Sequence, residues 1–264
     1  MKNLAWLGAL ALVCACAAPT TYYPSVDHGE MQSEAKYQSA QARDAAAFSR
    51  STPAERKDDE ARLLRVAKKI GPSGAALCAE MRGSFDGCSF DFAMSEQEGA
   101  NAYADGSKIF VTREMANFAS KDDEMATVLG HEYAHNILRH VASTQRNVMI
   151  GTLAGTAADA LAQSQGVNSG GAFAQLGAYG AQMRYSQDFE READYVGLYI
   201  MARAGYKVND ASAFWRKMAT RFPDGIYTGG THPTSAERYI SLNKTAAEIT
   251  QKRESGKPLR PSMR

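Results

Sequence analysis

Residues 129–140 read LGHEYAHNILRH and hold three of the chain's five histidines. His131 and His135 are four positions apart, so a helix places both imidazole rings on one face, close enough to share a metal ion. Glu132 lies between them and can take a proton from a water molecule that the metal activates. The complete H-E-x-x-H pattern therefore predicts a catalytic zinc centre, against the alternative of a helix that carries two surface histidines.

The third ligand has to come from another part of the chain. His140 lies nine positions after His131, about 180° round a helix, and we expect it to be structural. An extended motif with a third histidine needs Gly at 138 and His at 141, where this chain has Leu138 and Val141. A glutamate is the usual ligand when that histidine is missing.

The sequence FEREAD, residues 189–194, supplies three acidic candidates. Glu190 and Asp194 are four apart and share a helix face, whereas Glu192 points about 200° away from Glu190. We expect Glu190 to bind the metal and Asp194 to accept a hydrogen bond from the second ring N–H of a ligating histidine. Taken alone, the segment is also compatible with a solvated acidic helix face.

The overall pattern predicts an α+β fold that is mainly helical, a zincin with a small antiparallel sheet before the histidine segment. Apolar residues alternate from Cys88 to Met94, which is typical of a half-buried strand. Asp105-Gly106 predicts a tight turn between two short strands. We expect the second of these strands, at residues 107–112, to pair with an extended peptide substrate.

Helical periodicity dominates the rest of the chain. Apolar positions in 63–70 predict a helix that stops at Gly71-Pro72, and the histidine motif lies on one predicted helix from about 121 to 143. Another helix is predicted to end at Gly205. The glycine-rich segment 147–183 is compatible with a lid, a pair of core helices or an interface, and the sequence leaves these three open.

The N-terminus resembles a bacterial lipoprotein signal. Lys2 precedes an apolar stretch, Leu4–Val13, that is too short to span a bilayer, and VCAC follows, ending at Cys16. We predict a signal peptide at 1–15 and lipid modification of Cys16; the alternative is an ordinary secretory peptide cleaved near CAA. Ala17 stands where inner-membrane lipoproteins often have Asp, so we expect a periplasmic protein anchored to the outer membrane of a Gram-negative bacterium.

Processing would leave two unmodified cysteines. Cys14 is lost with the signal peptide and Cys16 is acylated, which leaves Cys78 and Cys88. In an oxidising periplasm we expect this pair to form a disulfide that stabilises the fold by roughly 2–4 kcal/mol. A metal site is the alternative, but it would need a second pair of ligands.

The charge balance argues against nucleic-acid binding, and the composition indicates where the domain begins and ends. Lys and Arg number 30 and Asp and Glu 29, so no positive excess favours nucleic-acid binding. Residues 16–58 are polar and predict a tether or solvated helix. The metallopeptidase domain is expected at 59–250, followed by a basic, mobile tail at 251–264.

Three motifs in order, H-E-x-x-H, E-x-E-A-D and T-H-P-x-x-x-x-R, resemble one family. It is the zinc metallopeptidase family of the CAAX prenyl endopeptidases and the heat-shock protease HtpX, and the similarity is greatest to its soluble periplasmic lipoprotein branch. It covers about residues 60–245. It implies one Zn²⁺ per chain, with these residues as ligands, base and supporting carboxylate: His131, His135, Glu190, Glu132 and Asp194.

The same resemblance gives roles to the last motif. His232 would be a fourth ligand that gates the metal, and Arg238 would contact substrate or the negative oxygen formed during catalysis. From its residue type alone, a histidine before proline in a loop is more often solvated. Ser186-Gln187 stands where many relatives have Ser-Arg, so we expect this chain to lack a supporting charge contact of the family. The membrane-spanning helices of the prenyl endopeptidases are also missing, which argues against prenylated substrates.

The expected function is therefore a zinc metalloendopeptidase. Unfolded or misassembled envelope proteins are the substrate class that the resemblance implies. A chaperone-like binding or assembly factor, whose metal is blocked by His232, is an alternative from another class. A metal-independent scaffold is a third.

Overall fold

The computed structural model describes residues 20–27, 29–31, 34, 53–221 and 236–264. Its longer elements, in chain order, are α1 (Pro53–Arg82), β1 (Asp91–Ser95), β2 (Ala102–Ala104), β3 (Lys108–Thr112), α2 (Arg113–Phe118), α3 (Asp122–Ile137), α4 (His140–Ser164), α5 (Ala172–Arg203), α6 (Ala211–Arg221) and α7 (Ala236–Glu254). The predicted mainly helical fold with a small sheet is confirmed. None of the helices in the described part of the chain combines the length and apolar character needed to cross a bilayer.

The sheet is mixed, which corrects the prediction of an antiparallel one. Its strand order is β1-β3-β2, with β1 parallel and β2 antiparallel to β3. The turn at Gly106, whose φ is 96°, joins β2 to β3, so β2 takes one edge of β3 and β1 the other. The strand expected to bind a peptide is therefore central, with partners on both sides.

Helix α1 runs through the predicted stop at Gly71-Pro72 and ends at Arg82. A proline removes one helical hydrogen bond, but ending here would expose Leu77 and Cys78, which are fully buried. Tertiary packing therefore outweighs the local signal. Cys78 is joined to Cys88 by a disulfide, which ties the end of α1 to the chain just before β1.

The predicted helix 121–143 is divided into α3 and α4. Arg139 adopts a left-handed conformation with φ of 57°, and the guanidinium of Arg82 donates to the carbonyl of Ile137 at the end of α3. An arginine from α1 thus satisfies a terminal carbonyl, and the chain turns after it. His140 begins α4, is 3% exposed and stacks on Phe189 with ring centroids 4.4 Å apart.

The described residues form two compact units. The smaller comprises Arg139–Phe189, and the larger comprises Thr20–Leu138 together with Glu190–Arg264. In the smaller unit, α4 and the first part of α5 form a helical hairpin, and the glycine-rich segment 147–183 lies within it. A Cβ on Gly155 would overlap the carbonyl of Phe173, so the two helices pack backbone against backbone.

The last residues of the chain differ from the predicted mobile tail. The N–H of Tyr22 donates to the carbonyl of Ser262 at 2.9 Å, and the N–H of Arg264 donates to the carbonyl of Thr20 at 2.9 Å. Backbone pairing thus holds the tail on the N-terminal segment, part of which was predicted to be a solvated tether. Local composition indicates neither the fixed position of the tail nor the pairing of the N-terminal segment with it.

Candidate metal centre

His131 and His135 of α3 meet Glu190 of α5 in the larger unit, and their ligand atoms all lie within 4.8 Å of one another. The Nε2 atoms of the two histidines are 3.1 Å apart. The Glu190 carboxylate lies 3.3 Å from Nε2 of His131 and 3.2 Å from Nε2 of His135. Two ring nitrogens and a carboxylate therefore converge on one point, as a tetrahedral metal site requires.

Two glycines allow α3 and α5 to approach closely enough for this. A Cβ on Gly130 would lie 2.8 Å from the carbonyl oxygen of Gly197, and one on Gly197 would lie 2.9 Å from the backbone nitrogen of His131. Gly197 is seven positions after Glu190, so it lies on the same face of α5. Any side chain at either position would move the glutamate relative to the histidines.

Asp194 holds the ring of His131. Its Oδ1 lies 2.9 Å from Nδ1 of His131, which leaves Nε2 directed toward His135 and Glu190. This contact holds the orientation of the ring, and with a metal on Nε2 it would keep the remaining proton on Nδ1. The arrangement agrees with the geometry expected from the four-residue spacing of Glu190 and Asp194.

Arg238 of α7 completes this buried cluster. Its Nε and Nη2 donate to the two carboxylate oxygens of Asp194 at 2.7 and 2.8 Å, and its Nη1 lies 3.0 Å from Glu190. The side chain is 3% exposed and lies over the ring of Trp215. The structure thus places Arg238 against the acidic residues of the site, whereas the resemblance implied contact with substrate.

The charges of the cluster support one another. Burial lowers the pKa of His131, but the carboxylates of Glu190 and Asp194 outweigh it and raise that pKa to about 10. Burial raises the pKa of the Asp194 carboxyl, but Arg238 and His131 outweigh it and hold that pKa below its usual value. Asp194 therefore remains ionised inside the protein and can accept hydrogen bonds from both neighbours.

Of the remaining predicted residues, the structure describes Glu132 but not His232 or Cys16. Glu132 is 1% exposed and lies on α3 between the two histidines. His232 and Cys16 lie outside the described residues. Sequence reasoning missed Trp215 of α6, whose ring centroid is 5.3 Å from that of His131. No motif marks this tryptophan, although the chain contains only two.

Comparison with known proteins places these residues in a wider group. The sequence profile of peptidase family M48 matches residues 67–246. The mitochondrial metalloendopeptidase OMA1 of Saccharomyces cerevisiae is 31% identical over 147 residues, which is 53% of this chain and 41% of that protein. A putative beta-barrel assembly-enhancing protease of Vibrio cholerae is 27% identical over 171 residues, or 60% and 35% of the two chains.

A further relative is the beta-barrel assembly-enhancing protease of Escherichia coli O157:H7, which is 24% identical over 174 residues, or 61% of this chain and 35% of that protein. The matched part is less than half the length of each of these three relatives. The family match includes all five of these site residues: His131, His135, Glu190, Asp194 and Arg238.

Proposed function

The chain belongs to peptidase family M48, and on this premise we propose that it is a zinc metalloendopeptidase of the bacterial cell envelope. The family resemblance read from the three motifs is confirmed by the match. The observation that carries the proposal is the convergence of His131, His135 and Glu190 on one point, with Glu132 on the same helix as the histidines.

The donor set fits zinc. Two imidazole nitrogens and one carboxylate suit Zn²⁺ and leave a coordination position open, as catalytic zinc sites do, whereas Ca²⁺ and Mg²⁺ prefer oxygen ligands. We assign one ion per chain to His131, His135 and Glu190. A bound zinc ion would act as a Lewis acid, which polarises the scissile carbonyl and makes water easier to deprotonate.

The chain's own residues would supply the rest of the chemistry. The carboxylate of Glu132 takes a proton from the attacking water and delivers it to the nitrogen of the leaving amine. Asp194 holds the ring of His131, and Arg238 holds Asp194 and Glu190, so both act as positioning residues. The ligands are thereby preorganised before substrate arrives.

An extended peptide would pair with β2, the edge strand, and not with the central β3. Asn101 and Asp105 bond to β3, so the backbone groups of Ala102 and Ala104 point to the other side of β2. The N–H of Gly106, next to β2, donates to the side chain of Asn136 at 2.8 Å. This bond ties the hairpin to α3, the helix that carries both histidines, one residue after His135.

Unfolded or misassembled envelope proteins are the proposed substrates, cleaved in the periplasm by an enzyme anchored through Cys16 to the outer membrane. Backbone pairing with β2 would demand little of the substrate's sequence, which suits a quality-control protease. Two relatives are named as beta-barrel assembly-enhancing proteases. The disulfide between Cys78 and Cys88 suits an oxidising compartment.

The test compares the wild type with Glu132→Gln for cleavage of an unfolded protein, with bound zinc measured by mass spectrometry. Removing the base should lower cleavage about 10²- to 10⁴-fold while one zinc per chain is retained. Glu98→Gln is the matched control, because Glu98 is exposed and lies outside the site. Equal cleavage by wild type and Glu132→Gln would contradict the protease mechanism. Activity that appears only in His232→Ala would favour the gated binding factor.

A further inference from the structure

The two ends of the described chain form one surface, which we call the terminal patch and define as residues 20–23 and 257–264. Thr21 pairs with Met263 in an antiparallel bridge. Hydrogen bonds from Tyr22 to Ser262 and from Arg264 to Thr20 flank the bridge, each 2.9 Å long. Residues far apart in sequence are therefore held next to each other.

The terminal patch is fastened to the helix that carries the metal residues. Glu192 of α5 is 1% exposed, and its Oε1 accepts hydrogen bonds from the N–H of Thr20 at 2.5 Å and of Thr21 at 2.7 Å. It also accepts one from the Thr20 hydroxyl at 2.9 Å. The hydroxyl of Tyr195, also on α5, accepts the N–H of Ser262 at 3.0 Å. The patch therefore has a fixed position on α5.

Large apolar side chains on this patch face water. Tyr22 is 58% and Met263 44% exposed. The guanidinium of Arg264 lies 5.5 Å from the ring centroid of Tyr22 and 5.8 Å from that of Tyr23. Exposed aromatic and apolar groups beside a basic group are typical of surfaces that enter a membrane interface.

The charge of the patch is one-sided. Residues 252–264 contain five Lys or Arg and one acidic residue, Glu254, in a chain whose totals are 30 and 29. The patch itself has no Asp or Glu and three basic residues: Lys257, Arg260 and Arg264. Arg260 contacts Glu80 at 2.7 Å and remains 61% exposed. The local excess of positive charge suits an anionic surface.

Chain length places the patch close to the proposed anchor. Thr20 is four residues after Cys16, and four extended residues span at most about 14 Å. If Cys16 carries lipid, as proposed above, the patch is held within that distance of the membrane. The chemistry of the patch itself does not depend on that modification.

We propose that the terminal patch is a membrane-docking surface for a bilayer that contains anionic phospholipid. Tyr22 and Met263 enter the headgroup region, while Lys257, Arg260 and Arg264 bind lipid phosphates. The patch is a second membrane signal beside the lipid on Cys16, and two signals give more stable anchoring than one.

Docking through this patch would also orient the enzyme. Glu192, which holds the patch, points about 200° away from Glu190 round the axis of α5. The face of α5 that carries the metal residues therefore turns away from the bilayer. Substrates would reach His131, His135 and Glu190 from the aqueous side.

The test uses residues 17–264, which lack Cys16 but retain every described residue. Binding is measured by co-sedimentation with vesicles of phosphatidylcholine, with or without phosphatidylglycerol. We expect binding that requires phosphatidylglycerol and weakens as salt is added. The double variant Lys257→Glu/Arg264→Glu should lower the partition coefficient at least about 25-fold, because each basic residue near an anionic membrane contributes roughly fivefold.

Matched controls make the result specific. Lys68→Glu/Lys207→Glu changes the net charge equally at two exposed lysines outside the patch and should bind like the wild type. Tyr22→Ser should weaken binding, whereas Phe85→Ser, at a side chain 69% exposed, should not. Absence of wild-type binding, or equal losses in patch and control variants, overturns the proposal. Cleavage of a soluble substrate should be unchanged by Lys257→Glu/Arg264→Glu, so this outcome is independent of the peptidase test.

Discussion

Helix α5 has two halves with opposite character. In residues 172–182 large apolar side chains are exposed, Leu176 by 64% and Tyr179 by 62%, and there is no charged residue. In residues 189–202 every residue except Arg191 is buried, including Glu190, Glu192 and Asp194. The usual distribution of charge and burial is therefore reversed along one helix. On α5 the buried carboxylates belong to the candidate metal centre, as Glu190 and Asp194 do, or hold the terminal patch, as Glu192 does.

The buried half stays folded because each of its carboxylates has specific partners. Burying an ion costs several kcal/mol unless opposite charges and hydrogen bonds compensate. Glu190 and Asp194 share Arg238, and Glu192 takes three donors from the N-terminal segment. The exposed half has no charged side chain of its own: its first turn donates to Asp159 of α4, and the helix packs on α4 through small residues. We therefore expect equivalent substitutions in the two halves to have different effects.

Breaking the shared ion pair should have the largest effect. Arg238→Met removes the cation that contacts both Asp194 and Glu190, and we expect the free energy of unfolding to fall by about 3–5 kcal/mol. Chemical denaturation of the metal-free protein measures this. Arg65→Met, which removes an exposed ion pair with Asp122, should lower the free energy of unfolding far less, because water screens that pair. A loss of kcat with unchanged stability would instead indicate that Arg238 contacts the substrate.

Features set by local helix geometry could be predicted from the sequence, whereas features set by packing between elements could not. Spacings of four residues place His131 with His135 and Glu190 with Asp194, because helix geometry alone determines which side chains share a face. The helix through Pro72 and the left-handed Arg139 depend on packing against other elements, so local signals gave wrong boundaries. Strand β1 was predicted from its alternation, but its parallel pairing with β3 depends on the whole sheet.

The contacts least visible in the sequence are those between distant residues. The spacing on α5 shows only that Glu192 points away from Glu190, and its partners Thr20 and Thr21 lie about 170 positions earlier in the chain. Gly130 and Gly197 likewise form a close contact between α3 and α5 that no sequence motif indicates. A single sequence shows which residues share a helix face, but it does not show which residues pack against that face.

Glycine-to-alanine substitutions, one in each half of α5, should also have different effects. Gly197→Ala would place a Cβ 2.9 Å from the backbone of His131, and we expect it to cost about 1–3 kcal/mol and to weaken zinc binding. A Cβ on Gly180 meets nothing within 4 Å, so Gly180→Ala should stabilise the protein by roughly 0.5–1 kcal/mol through helix propensity. Thermal denaturation and zinc titration measure both. Equal effects at the two positions would contradict the close approach of α3 and α5.

The smallest effect is expected in the hairpin, where Asp159 accepts hydrogen bonds from the hydroxyl of Ser169 and from the N–H groups of Phe173 and Ala174. The bond from Ser169 is the main reason that the pKa of Asp159 lies below its usual value, so the folded hairpin favours the ionised form. Its contribution to stability is present above about pH 4 and is lost as the pH falls through the lowered pKa.

Asp159→Asn should therefore remove this pH dependence from the start of α5 and leave the midpoint of global unfolding almost unchanged. Hydrogen exchange at the amides of Phe173 and Ala174 measures it, because these two groups donate to the carboxylate. Asp91→Asn, at an exposed aspartate of β1, is the control for loss of one charge and should leave both amides unaffected. The same pH dependence in wild type and Asp159→Asn would show that another group caps this end of the helix, and the exposed half would then need a different account of what holds it.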